Sequence, residues 1–503
     1  MRTLYRASRV HTLSYPPSGE WVLADGRHVE RVGTGGPPGA DRVVDLPGTT
    51  ILPGFVDAHV HLTGTGLHHR SPELSAARSA QELLAAVRGS AADGEGPIYL
   101  HGWDESAWQD RRVPDLTELD AATGRPLGLA RVDGHVLLAN TAGLEATGAV
   151  GEEGAEVDAR GNLTGRITRK AAETAKRWFS MNLSEHEVEE LQLRAASLAV
   201  AHGVTTIHEM SMPAERGLRD LEILLEHRAR LPLDVVTYVA TTDVSQVIDL
   251  GLPRIGGDLP VDGSIGARTA WVSGGFVDGV RAPEGYYRDD ELAEFFHDGH
   301  LAGLQVGVHA IGDAAIEQVV RTWERVYRSL DSRERRHFRA RRHRVEHFEM
   351  AHEGILERAA MLGLAISLQP TFDAEWGSPG GLYEQGLGWE RAEPMNPFRA
   401  IVRRGLEVGA GSDSPITSID PMVGIAAFES HHDAGQRLSR AEAIRVYTTG
   451  SARLAHQEDK KGSLQPGRHA DFAVYDVDPL EAGSVEGLRP VLTVSLGREV
   501  FAA

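Results

Sequence analysis

Two histidines stand two residues apart in "PGFVDAHVH", residues 53–61, where an apolar run ends. Alternate side chains of a strand share a face, so His59 and His61 point one way and Val60 the other. Two imidazoles on one face can grip a metal ion, although an isolated H-x-H is as readily a hydrogen-bonded pair on a half-exposed strand. Further along, His309 ends the strand-like "LQVGVH", His347 ends "HRVEH" and Asp413 ends "LEVGAGSD". One histidine on an apolar strand is ordinarily a satisfied core residue. Four histidines and an aspartate, all at strand exits, argue against coincidence. Imidazole and carboxylate hold a divalent ion with a position open for water, and the ion brings that water's pKa down to roughly 7. The structural alternative for Asp413 is an Asx-turn in "SDSP".

Residues so far apart meet only if the elements carrying them share one geometry. Ser184-x-x-Glu187 is a capping box, and Val188, Leu191, Ala195 and Leu198 recur at helical spacing until Gly203. The strand "VTTIHEM" follows. The alternation continues through "LRDLEILLEHRARL" and "LDVVTYVA", "RDDELAEFFHDGHLAG" and "LQVGVHAIG", a helix over 313–330 and "HRVEHFE", "AHEGILERAAMLG" and "LAISLQP", and "PFRAIVRRG" and "LEVGAGSD". Such alternation implies a parallel sheet, most often a closed (β/α)8 barrel, whose strand ends all face one mouth. Residues 66–165 interrupt it and read as an insertion after the first barrel strand. Both ends of the chain read as short strands that pair into one small β-domain. "GTGGPPGA" at 33–40 lacks the strand-to-helix setting of a phosphate loop and reads as a turn.

Composition narrows the chemistry. The 503 residues contain no cysteine, which excludes disulfides, thiol nucleophiles and thiolate zinc sites. A formal charge of −20 argues against nucleic-acid partners, and "RERRHFRARRHR" at 333–344 reads as the solvated end of a helix before a strand. No apolar run approaches the ~18 residues of a membrane span, and the start lacks a signal-peptide core, so a cytoplasmic protein is expected.

Together, "LPGFVDAHVHL" (52–62), "GWD" (102–104), "VDGH" (132–135), "GVTT" (203–206), "DGSIGARTA" (262–270), "VHAIGD" (308–313), "RVEHFE" (344–349), "SLQP" (367–370), "GSDSP" (411–415) and "KGSLQPGRHADFAVYD" (461–476) resemble the amidohydrolase superfamily, specifically its amidohydrolase-3, YtcJ-like branch. The resemblance covers nearly the whole chain. It implies an α/β fold: a distorted (β/α)8 TIM barrel over 53–65 and 166–455, a composite β-sandwich from 1–52 and 456–503, and an α/β insertion at 66–165. It also implies a divalent metal, usually zinc, and hydrolysis of C–N bonds, with Asp413 taking the water's proton and passing it to the leaving nitrogen.

Two positions depart from the pattern. Where many relatives carry a carboxylated, metal-bridging lysine, "GDLPVDGS" has Asp258, expected to stop short of the bridge; where many carry Glu, "TGRITRKA" has Arg169, with Lys170 beside it, read as a solvated helix-start residue with the metal bridge as its alternative. The resulting expectation is one Zn²⁺ on His59, His61, His309 and Asp413, with Fe, Mn, Co or Ni also compatible with these ligands. His347 then polarises the substrate carbonyl, or is a ligand if the site is binuclear. His135, Asp133, Trp103, Asp104 and Arg268 resemble pocket positions of the family, Trp103 having packing as its other reading, and Glu209 ends the strand "TTIHE". The expected substrate is a small amide, N-acyl or N-formyl compound. Deamination of a ring or amidine is the alternative reaction, and a non-catalytic binding protein on a decayed barrel is the remaining reading. A homodimer is a further expectation from the resemblance.

Overall fold

The computed structural model describes residues 1–69, 74–92, 96–105, 108–131, 136–280 and 282–503. The chain forms two compact units, one of Met1–His68, Gln192–Pro213 and Leu224–Ala503, the other of His69–Leu191 and Ala214–Ile223.

Among the described residues of the first unit, eight parallel strands follow one another: β1 (Phe55–Val60), β2 (Val204–Ser211), β3 (Asp234–Val239), β4 (Arg254–Ile255), β5 (Gln305–Ala310), β6 (Arg344–His347), β7 (Ala365–Leu368) and β8 (Glu407–Ala410). They pair as a three-stranded sheet, β3-β2-β1, and a five-stranded sheet, β4 to β8 in order. Isolated bonds link the two sheets where a continuous ladder was expected. Gly256 N donates to Val239 O at 2.7 Å on one side; Asp413 N to His59 O at 2.8 Å and His61 N to Ser414 O at 2.9 Å do so on the other. The first break follows from the shortness of β4, which is followed at once by Gly256 (φ +80°) and Gly257 (φ +67°). A Cβ at Gly256 would meet Gly307 O at 1.9 Å, so only glycine allows this approach.

Helices alternate with the strands. Asp313–Ser329 buries Ile316, Val319, Val320, Trp323 and Val326 on one face, and burying a large apolar side chain of this kind is worth ~1.5–3 kcal/mol. Glu353–Leu362 stops at Gly363, in the left-handed region at φ +71°. The basic run divides. Helix Ser332–Arg341 is largely exposed as expected, but Arg344 opens β6 and is fully buried.

The terminal segments form one hydrogen-bonded sheet of seven strands, in the order Arg498–Ala502, Leu492–Ser495, Phe472–Tyr475, Arg42–Pro53, Arg2–His11, Ser18–Asp25, His28–Gly33. Tyr5, Val10, Val22, Ile51, Phe472 and Val474 make its core. Lys461, just before its C-terminal strands, donates to Thr206 Oγ1 on β2 at 2.7 Å and to Asp234 Oδ2 on β3 at 2.6 Å.

In the second unit, Ile98–Trp103, Leu127–Arg131, Val136–Ala139, Leu163–Thr168 and Ala155–Val157 form a five-stranded sheet in that order. Its core gathers Trp103, Trp108, Leu83, Val87, Leu119 and Leu129. The expected capping box is made: Ser184 N donates to Glu187 Oε2 at 2.9 Å and Glu187 N to Ser184 Oγ at 3.3 Å. Among the described residues no helix is long and apolar enough to cross a membrane.

Candidate metal centre

The ends of β1 and β8 come together because Gly411 follows β8; a Cβ there would meet His59 N at 2.3 Å. Buried Asp57 ties the same junction, accepting from His59 N at 3.1 Å and Ser412 N at 3.0 Å, and burial pushes its carboxyl up to about 6.

The protons on the two β1 histidines follow from their partners. His59 Nδ1 lies 2.8 Å from the Glu346 carboxylate, and His61 Nδ1 lies 2.9 Å from Met210 O. Both partners only accept, so each Nδ1 carries a hydrogen and each Nε2 is the nitrogen turned to the carboxylates. These nitrogens meet Asp413 Oδ1, at 3.3 Å from His59 and 3.2 Å from His61. Asp258 closes the group, with Oδ1 3.7 Å from His59 Nε2 and Oδ2 3.5 Å from His61 Nε2. His59 Nε2 and Asp413 Oδ1 are buried and have no hydrogen-bond partner. Two imidazole nitrogens and two carboxylates converging in a buried place are a donor set that fits a divalent metal.

The presence of Asp258 corrects the sequence expectation. Its reach comes from the backbone and not from side-chain length. The turn at Gly256 and Gly257 lays the next residues along the end of β5, where His309 N donates to Leu259 O at 2.9 Å and Val261 N to His309 O at 3.0 Å. Asp258 thereby touches His309 Nδ1 at 3.2 Å and His347 Nε2 at 3.3 Å as well.

His309 stands apart from the expected ligand set. The ligand atoms of His59, His61 and Asp413 lie within 4.8 Å of one another, as do those of His59, Asp258 and His347; His309 is in neither group. Its Nε2 lies 3.3 Å from Gly263 O. His347 stacks on Phe372 at 5.7 Å, and its Nδ1 is buried without a hydrogen-bond partner. Strand alternation alone would turn His347 away from its neighbour Glu346. Left-handed backbone at His347 (φ +67°) and Phe348 (φ +59°) re-aims it, and Asp413 has the same strain at φ +56°.

The charges reinforce one another. Burial works against charge on His61 and His309, but the neighbouring carboxylates, Asp258 above all, carry them up to about 10 and about 9. Burial likewise opposes charge on Asp258 and Asp413, and the histidines, His59 foremost, hold both well below the usual carboxylate range. Burial and the charge of His309 lower His347, which stays neutral.

The other predicted residues have different surroundings. Glu209 is buried and accepts from Leu62 N at 2.7 Å, at the start of helix Leu62–His68. Arg268 binds Asp278 at 2.8 Å and lies over the Phe276 ring. Trp103 is a packing aromatic in the second unit's core, donating to Leu129 O at 2.9 Å, and Asp104 pairs with Arg131 at 3.0 Å. Arg169 and Lys170 are exposed and pair with Glu153 and Glu152. His135 and Asp133 lie outside the described residues.

Asp373, His431 and His432 also gather ligand-type atoms. Their nitrogens are already engaged: His431 with Asp433 N and Asn396 O, at 3.0 Å each, and His432 with Asp373 at 2.6 Å and Glu393 O at 2.8 Å. This is an internal ion pair.

Sequence reasoning passed over Arg344, Glu346 and His208, all fully buried behind His59. The available signal was two opposite charges at i and i+2 of a predicted buried strand, which places both on one face.

Residues 42–501 match the model of the amidohydrolase family. YtcJ of Bacillus subtilis (strain 168) is 28% identical over 471 residues, covering 87% of this chain and 85% of that protein. The N-substituted formamide deformylase of Arthrobacter pascens is 24% identical over 512 residues, covering 92% and 91%. A solved metal-dependent hydrolase of Pyrococcus furiosus, uncharacterized by its description, superposes with a TM-score of 0.76 at 27% identity, covering 96% of this chain and all of that one. With that match added to a His/Asp cluster suited to a divalent ion, this chain belongs to the amidohydrolase family and is a hydrolase acting on C–N bonds.

Proposed function

We propose that the protein hydrolyses the amide bond of a small N-acyl or N-formyl compound, using one divalent metal, zinc in the first instance, held by His59, His61, Asp258 and Asp413. The observation that carries this reading is the convergence of two Nε2 nitrogens and two carboxylates, with His59 Nε2 and Asp413 Oδ1 buried and without a hydrogen-bond partner. A divalent ion there supplies Lewis acidity, activating water near neutral pH and polarising the scissile carbonyl.

The chain's own groups do the rest. Asp413 turns Oδ1 to the two histidines, which leaves Oδ2 to accept the proton of the attacking water. As the C–N bond breaks, the same oxygen returns that proton to the nitrogen, giving an amine and a carboxylate. His347, neutral, carries its one hydrogen on Nε2, 3.3 Å from Asp258 Oδ1, and that N–H turns to the carbonyl oxygen as negative charge develops there. We read the eight parallel strands as the family's distorted barrel and the terminal sheet as its β-sandwich.

Resemblance to the formamide deformylase favours a formyl or short acyl group. The test is a panel of N-formyl and N-acyl amines, with amidine and amino-ring compounds beside it, assayed for carboxylate, amine and ammonia on protein of measured metal content. Carboxylate and amine in equal amounts are expected. Ammonia from the ring or amidine compounds alone would replace this reading with deamination, and full activity in metal-free protein would overturn the metal reading.

A further inference from the structure

His59 is backed by a chain of buried polar groups that reaches away from the metal-ligand side. His59 Nδ1 meets Glu346 Oε2 at 2.8 Å, and Arg344 Nη2 donates to that oxygen at 2.8 Å while its Nε engages Oε1. Arg344 Nη1 donates to His208 Nδ1 at 2.9 Å and to Tyr238 Oη at 3.3 Å, and Nη2 also donates to Ala58 O. Tyr238 passes its own hydrogen to Gln305 Oε1 at 2.8 Å, and Gln305 is fixed by Arg342 O and Leu454 O, both at 2.7 Å. Arg344, Glu346, His208 and His59 are each completely buried.

An arginine only donates, so the proton positions are determined. Both Glu346 oxygens face Arg344, which keeps the group a carboxylate; that carboxylate can only accept, so His59 must donate from Nδ1. Nε2 is then the nitrogen left for the other side, toward Asp258 and Asp413.

We propose that Glu346, locked by Arg344, is a positioning residue for metal capture. It holds His59 in one tautomer and one ring orientation before the ion arrives, so that the site is preformed. Without it, His59 can carry its hydrogen on Nε2 and donate to Asp413, closing the site on itself. The proposal rests on the metal reading above and concerns affinity, so each can fail separately.

The test is Glu346→Gln. Glutamine offers one oxygen where the site needs two acceptors, so its amide must face a donor of Arg344 or of His59. Zinc affinity, measured by chelator competition on folded apo-protein, should fall ~10–100-fold, and the visible spectrum of the Co²⁺-loaded variant should differ from wild type. If Glu346→Gln fails to fold, the double variant Arg344→Met/Glu346→Leu removes both charges and fills the space with apolar groups, a replacement that often preserves stability; the same loss of affinity is expected. Wild-type zinc affinity in a folded form of either variant overturns the proposal. Absence of zinc binding by the wild-type protein would instead overturn the metal reading.

Discussion

Asp258 Oδ1 lies 3.2 Å from His309 Nδ1, on the turn that runs along the end of β5. The proposed ligand set takes Asp258 in place of His309. Asp258→Asn should therefore lose metal at least about tenfold relative to wild type, while His309→Ala keeps most of its metal. Elemental analysis of both purified variants checks this, and the reverse pattern would return His309 to the ligand set.

His347 is expected to act on the substrate. His347→Ala should keep its metal and turn over ~10²–10³-fold more slowly, the usual cost of losing a donor to a developing oxyanion. Metal content and turnover number measured on one preparation check both halves. Two ions per wild-type chain, falling to one in this variant, would make His347 a ligand of a second metal.

Lys461 provides a stability test remote from the catalytic groups. Its side chain is 1% exposed and binds Asp234, while Asp471 lies 3.8 Å away. Lys461→Met leaves carboxylates without their cation and should cost about 3 kcal/mol in urea denaturation. Burial raises the Asp234 carboxyl, but the charge and hydrogen bond of Lys461 outweigh it and hold the group below its usual 3.8. A depressed carboxyl stabilises the fold above its unfolded pKa, and that contribution fades as pH falls through the folded value. The difference between wild type and variant should therefore be full at neutral pH and shrink below about pH 4. A gap that stays constant down to pH 2 would contradict this assignment.

Deleting residues from 478 onward removes Leu492–Ser495 and Arg498–Ala502 and leaves Phe472–Tyr475 as a bare sheet edge. It also removes Leu492 and Val494 from the core and the bond from Thr493 Oγ1 to Val200 O. Insoluble protein is expected, because an unprotected apolar edge invites pairing between molecules. A soluble truncation with wild-type turnover would show that these strands are dispensable.

Local pattern carried much of this architecture. The helices and strands of the first unit repeat with the apolar periods that mark them, and His59 and His61 share a face because a strand has period two. The reach of Asp258 was not legible, because its position depends on two glycines with positive φ, which bend the chain after a two-residue strand. His347 reaches the centre through a left-handed residue that breaks the alternation its sequence implies. Trp103 had two readings in the sequence, pocket and packing, and its indole donates to a carbonyl inside a core.

The terminal sheet sets an order of events during synthesis. Strand Arg42–Pro53 pairs on one side with Arg2–His11 and on the other with Phe472–Tyr475. At the ~5–20 residues per second of translation, the intervening chain takes roughly 20–80 s to emerge. For that interval the early strands carry an open edge, the kind that invites pairing between molecules.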